Sequence, residues 1–197
     1  LEQRFGVIAV ARNHSFSGWD AALGDGDELA FMPPVSGGSG DHTHEIDDAD
    51  SGNFFALTRV PIDVPAMSAR LLRPEDGAIV DFIGVVRNNS EGRKTRFLDY
   101  QCYEPMALKV MADLGREIAA NHEIGRIGIV HRLGKLEIGE ASVAIVVTSP
   151  HRRQAFEAGF EAINRLKKLV PIWKKEYFED GEIWVEGEWD DSVVQQK

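Results

Sequence analysis

Cysteine is almost missing from this sequence of 197 residues, where Cys102 stands alone. One thiol excludes an internal disulfide framework and a multi-cysteine zinc site, and it suits a reducing compartment. Long apolar runs are missing as well. Stretches such as Val143–Val147 fall far short of the roughly 20 residues that span a bilayer, so no membrane partner is expected. Phe5–Ala11 follows Arg4 but is too short for the apolar part of a secretion signal, and a cytoplasmic location is the expectation. The first residue is Leu, which reads as a processed chain or a fragment. No phosphate-binding P-loop, dinucleotide fingerprint or Ser-His-Asp spacing occurs.

Positive charge is in short supply: 22 Lys and Arg face 32 Asp and Glu, a net charge of −10. The deficit is local. Residues 1–52 hold 2 basic and 10 acidic side chains, whereas residues 53–197 hold 20 and 22. A chain with so acidic a front repels polyanions, so nucleic acid is not an expected partner. A basic pocket in the near-neutral body stays open.

Three zones follow from the pattern. Residues 1–38 read as part of a small β-rich module, with strands over Phe5–Ala11 and Glu28–Met32 and a turn at Gly24-Asp25-Gly26-Asp27. So short a piece cannot bury a core alone. Residues 39–52, SGDHTHEIDDADSG, carry five acids and no Lys or Arg and read as a flexible linker. His42 and His44 lie in it, and a solvated tether is the simpler reading than a metal site. Residues 53–197 read as the main domain, in the order αββαββαββ, which argues for an α+β fold. Asp63 caps a helix over Val64–Leu72, Pro105 opens a second, and a third covers His151–Leu169 with Ala155, Phe156, Gly159, Ile163 and Leu166 turned inward. Strands are expected over Ala78–Val86, Arg96–Tyr103, Arg126–His131 and Ser142–Thr148, then a hairpin around Asp180-Gly181.

Three segments can carry chemistry. Pro33-Pro34-Val35-Ser36-Gly37-Gly38 combines a stiff exit with side-chain-free residues, as a tail that threads a narrow channel requires; an ordinary linker has the same composition. Residues 151–175 hold seven Lys and Arg against two acids. His151 and Arg152 stand at a helix start, where free N–H groups favour an anion. Lys167 and Lys168 end that helix, where they also complement its dipole. Lys174 and Lys175 lie on the next strand and must face opposite sides. Arg87, at a strand end, can fork onto a phosphate. His131-Arg132 reads as a strand-end pair, and Cys102 as a small buried hydrophobe.

Together these segments resemble the molybdopterin synthase family. Residues 53–190 are similar to its large, catalytic subunit through four strings in order. These are the run from Gly77 to Asn88, His131-Arg132-Leu133-Gly134, Thr148-Ser149-Pro150-His151-Arg152 with Ala155-Phe156-Glu157-Ala158-Gly159, and Leu166-Lys167-Lys168 leading to Pro171-Ile172-Trp173-Lys174-Lys175-Glu176. Residues 5–38 resemble the C-terminal half of its small, ubiquitin-like sulfur carrier, through Gly26-Asp27-Glu28-Leu29-Ala30-Phe31 and the Gly37-Gly38 end. The resemblance implies an α+β domain of the α/β hammerhead type over 53–190. A partial β-grasp module over 1–38 and a linker over 39–52 precede it, and a tail over 191–197 follows.

The resemblance also implies a reaction. Cyclic pyranopterin monophosphate becomes molybdopterin, with sulfur delivered as a thiocarboxylate on the carrier's last glycine. By position, Lys167 and Lys174 are the catalytic lysines. Val85, Val86, Arg87, His151, Arg152, Lys175 and Glu176 bind substrate, and Gly37 and Gly38 are the carrier terminus. No resident metal or cofactor is implied. The implied partners are the thiocarboxylated carrier, its adenylating and sulfurating enzyme, and a second copy in a homodimer. The departure is Ser39, which follows Gly38 and leaves no terminal carboxylate. The competing reading is a non-catalytic module that holds a phosphorylated ligand or an acidic peptide tail.

Overall fold

The computed structural model describes residues 9–13, 15–17, 21–32 and 44–185. The Gly37-Gly38 segment, His42 and the tail over 191–197 lie outside them.

A five-stranded mixed sheet organises the main domain, in the order β4(His44–Asp47), β5(Phe54–Thr58), β9(Ile127–Arg132), β11(Ala141–Ser149), β6(Ala78–Val85). β5 and β9 run parallel and the other neighbours antiparallel. β5 and β9 are buried at every residue and β11 at all but its first. That explains their unbroken apolar runs, since both faces are covered. On one face lie α2(Glu104–Asn121) and α3(Arg152–Leu169), closing a core that includes Phe55, Leu57, Met111, Ile118, Ile129, Ile145 and Leu166. On the other lies α1(Val64–Leu71), over Phe54, Ala56, Val130 and Val146. Asp63 caps α1 as expected, its Oδ1 accepting from the Ala66 N–H at 2.9 Å.

A second sheet runs β10(Gly134–Glu137), β8(Arg93–Cys102), β12(Ile172–Phe178), β13(Gly181–Val185), with β7(Asn89–Ser90) paired to β8. Its cross-strand register sets Tyr100 beside Lys174 and Leu98 beside Glu176. The expected hairpin around Asp180-Gly181 joins β12 to β13.

The described front of the chain is a three-stranded sheet, β2(Ser15–Ser17), β1(Ala9–Arg12), β3(Leu29–Met32). It sits on the main domain: Ala11 is buried with Met106 and Trp173, and Ala30 and Tyr103 pack alongside. The Tyr103 hydroxyl donates to Glu28 Oε1 at 3.0 Å, and this contact raises the phenol above its ordinary pKa.

Two expectations need correction. The second half of the acidic linker is an ordered edge strand, β4, laddered to β5. Acids in and just past it are counter-charges for the domain, and its histidine meets a domain carboxylate. Asp47 meets Arg70 at 2.5 Å, Asp48 meets Arg116 at 2.8 Å, and His44 meets Glu104 at 2.8 Å. Composition alone misses this, because backbone pairing and ion pairs offset the entropy of ordering. Phe156 is the second. It is 63% exposed, as is Phe160 at 70%, while Ala155, Ala158, Gly159, Ala162, Ile163 and Leu166 form the buried stripe of α3. The small residues let the helix lie close to β11 and β6.

Candidate active site

The two sheets meet over a cavity of about 410 Å³. β6, β9 and β11 supply Phe82, Gly84, Val85, His131, Ser142 and Val143; β8 and β12 supply Tyr100, Lys174 and Glu176; α3 ends there with Leu166 and Lys167. Arg87, just past β6, completes the rim. The volume is within the range of small-molecule sites.

Strand alternation decides which lysine of the Lys174-Lys175 pair faces inward. Ile172, Lys174 and Glu176 line the cavity. Lys175 instead pairs with Glu182 at 2.5 Å, and that contact raises its pKa. Lys174 Nζ lies 2.7 Å from Glu176 Oε1. Glu176 is 3% exposed, and its Oε2 has no hydrogen-bond partner among the described residues. Lys167 occupies the last turn of α3 and is exposed, without an ion pair among the described residues. Arg87 is exposed and likewise unpaired among them.

The sequence-derived set therefore divides. The cavity brings together Val85, Arg87, Lys167, Lys174 and Glu176. Val86 is 2% exposed in a separate cluster with Leu98 and Leu136. His151 and Arg152 are exposed at the start of α3, about 22 Å along the helix from Lys167 at 1.5 Å per residue.

The floor holds residues that the motif reading passed over. His131 is buried, and burial pushes its imidazole down to about 4, so it is neutral. Its Nδ1 lies 2.9 Å from the Arg132 carbonyl oxygen. A carbonyl only accepts, so Nδ1 carries the proton. The Tyr100 ring meets it edge-on, with centroids 5.2 Å apart. Burial raises the Tyr100 phenol, and the nearby Ser142 hydroxyl partly offsets that. Ser142 in turn donates to the Gly84 carbonyl at 3.2 Å. The earlier signals for His131 were its place in an apolar strand and the string His131-Arg132-Leu133-Gly134, neither of which gave it a role. Cys102 is out of play: burial and Glu104 push its thiol well above the range of a reactive thiolate.

Among the described residues no three His, Cys, Asp or Glu side chains gather as metal ligands, and no helix is long and apolar enough to cross a membrane.

A rim of cations over a floor that holds the Lys174–Glu176 ion pair and neutral polar groups suits an anionic group attached to a ring system. Comparisons with known proteins place the chain among known relatives. The family model described as MoaE protein matches residues 57–169, and that described as ThiS family matches residues 1–38. The chain is 47% identical over 131 residues to the molybdopterin synthase catalytic subunit of Bacillus subtilis, covering 66% of this chain and 83% of that protein. The crystal structure of molybdopterin synthase from Staphylococcus aureus superposes with a TM-score of 0.63 at 42% identity, over 66% of this chain and 94% of that one. A complex of subunits 1 and 2 of molybdopterin-converting factor from Helicobacter pylori has the same fold, with a TM-score of 0.57 at 20% identity, over 68% and 92%.

Proposed function

The chain belongs to the MoaE protein family, and from that premise we propose that its cavity converts cyclic pyranopterin monophosphate to molybdopterin. The protein is a sulfur-transferring enzyme of molybdenum-cofactor biosynthesis. The observation that carries the finer reading is the convergence of Arg87, Lys167 and Lys174 on one cavity.

In this reading Arg87 holds the substrate phosphate at the rim by charge-assisted hydrogen bonds. Once the sulfur is bonded to the substrate carbon, water attacks the carrier's acyl carbon and the acyl–sulfur bond breaks, leaving sulfur on the substrate and a carboxylate on the carrier; Lys174, fixed by Glu176, is the cation beside the negative charge that develops in that step. Lys167 or Lys174 supplies the proton that ring opening needs. The nucleophilic sulfur arrives on the carrier's thiocarboxylate, so the inert Cys102 is no obstacle. His151 and Arg152 are too far along α3 to reach the cavity of their own chain. As substrate ligands they must come from a second copy, which is the reason to propose a homodimer.

Residues 1–38 match the sulfur-carrier type, and the division into carrier piece, linker, catalytic domain and tail is proposed on that basis. The carrier needs a free terminal carboxylate for adenylation and sulfuration. Either the chain is cut between Gly38 and Ser39, or separate carriers serve the catalytic domain. Intact mass from cells that make the cofactor distinguishes these. A cytoplasmic location fits thiocarboxylate chemistry.

Conversion of the cyclic pterin by this chain, with thiocarboxylated carrier supplied in trans, tests the function. Lys167→Ala and Lys174→Ala should lose turnover far more than substrate affinity. Loss of affinity alone would instead support a non-catalytic binding module.

A further inference from the structure

The cavity is graded from unpaired cations at its mouth to a floor of apolar and neutral polar groups beside the Lys174–Glu176 ion pair. Arg87, Asn89 and Lys167 are exposed, whereas Leu98, His131, Ser142 and Val143 are buried. A phosphorylated heterocycle therefore enters with its phosphate at the rim and its ring system below. The ring edge of a pterin carries N–H donors, and each one left unpaired in a closed floor costs binding.

Acceptors on that floor are few. Glu176 Oε1 is committed to Lys174, and Glu176 Oε2 is sealed from solvent. Ser142 donates to Gly84 and is engaged with Tyr100. His131 differs. Its Nδ1–H is held by the Arg132 carbonyl, so Nε2 keeps a bare lone pair on the opposite side of the ring. Nε2 has no protein partner among the described residues, and His131 lines the cavity. Tyr100 packs edge-on against the ring. Burial keeps the imidazole neutral at any pH above about 4, so the acceptor persists across the working range.

We infer that His131 Nε2 accepts a hydrogen bond from a ring N–H of the bound pterin, making His131 a specificity-determining residue that reads the heterocycle while the rim reads the phosphate. The inference rests on the functional reading above. It predicts rejection of phosphorylated ligands whose ring edge presents an acceptor at that point.

The test is calorimetric titration of the full chain with cyclic pyranopterin monophosphate and, separately, with inorganic phosphate. His131→Asn keeps an N–H for the Arg132 carbonyl and removes the deeper acceptor. His131→Gln gives up the first and returns an amide oxygen near the Nε2 position. His131→Asn should bind the pterin roughly ten- to a hundredfold more weakly, the range for a buried donor left without its acceptor, with phosphate binding unchanged. His131→Gln should recover most of that loss. Unchanged pterin affinity in His131→Asn would overturn the inference. So would equal losses for both ligands, which a merely structural histidine predicts. Should neither variant fold, the Nε2 nitrogen resonance of His131 in the unaltered chain decides: a shift with pterin but not with phosphate supports the contact, and no shift with pterin refutes it. An unaltered chain that takes up no pterin removes the functional reading and this inference together, whereas tight binding indifferent to His131 removes the inference alone.

Discussion

The two proposed catalytic lysines should separate in stability although they act together in turnover. Lys174 neutralises Glu176, which is 3% exposed, at 2.7 Å. Lys174→Ala strands that carboxylate. Breaking a fully buried pair from one side costs about 3–5 kcal/mol, and Lys174 itself is 32% exposed, so water reaches the site and about 2–3 kcal/mol is the expected loss. For a chain of this size that lowers the melting temperature by roughly 5–10 °C. Lys167 is exposed and leaves no buried charge behind, so Lys167→Ala should stay within about 0.5 kcal/mol of the parent. Adding Glu176→Gln to Lys174→Ala removes the stranded charge and should restore most of the stability without restoring turnover. Thermal melts of the four proteins decide it. Equal melting temperatures for Lys167→Ala and Lys174→Ala would refute the buried-pair argument, as would a double variant no more stable than Lys174→Ala.

Acid should expose the buried imidazole. His131 titrates near 6.5 when unfolded and about 4 when folded, so between those values the unfolded chain binds the extra proton. Its contribution is complete above pH 6.5 and fades as pH falls to 4, by about 3 kcal/mol in all. Urea midpoints at pH 7 and pH 4.5 should therefore fall further in the parent than in His131→Asn, and parallel losses would contradict the assignment. Arg87→Ala should raise KM for the phosphorylated substrate about tenfold with no more than about 0.5 kcal/mol change in stability, since this Arg is exposed and makes no ion pair among the described residues; an unchanged KM would remove it from the site. Gly115→Ala gains about 1 kcal/mol of helix propensity, but its Cβ would run into the Phe55 ring at Cε1 in the core. Overpacking should win, for a net loss of about 1–2 kcal/mol in urea denaturation, and a stabilised variant would show that Phe55 can move.

Legibility in the sequence followed the range of the interactions. Asp63, Pro105 and the Asp180-Gly181 turn act within a few residues, and each marked its element where the structure has it. The basic cluster was visible because residues 151–175 gather seven Lys and Arg against two acids, and Arg87 because it stands just past the end of β6. The choice between Lys174 and Lys175 needed the β8–β12 register. β4 was hidden because its ladder partner, β5, and its counter-ions Arg70 and Arg116 are distant in sequence or lie on other elements. Phe156 misled because an aromatic residue at helical spacing usually marks a core, and here alanine and glycine pack instead. His131 reads as a core histidine until the floor around it is assembled, since nothing local distinguishes a bare Nε2 from a satisfied one.

Strand alternation ties the front of the chain to the chemistry. Trp173 and Lys174 are neighbours on β12, so their side chains leave opposite faces of the second sheet. Trp173 packs against Ala11 and Met106 and so forms the seat of the front module, while Lys174 faces the cavity. The same strand is held from β8 by the pairing of Lys174 with Tyr100, the residue that packs edge-on against His131. A module seated on Trp173 therefore bears on a strand whose next residue is the proposed catalytic lysine and whose cross-strand neighbour borders the cavity floor. The seat of the front module at Trp173 and the cavity face of Lys174 thus lie one peptide unit apart on β12.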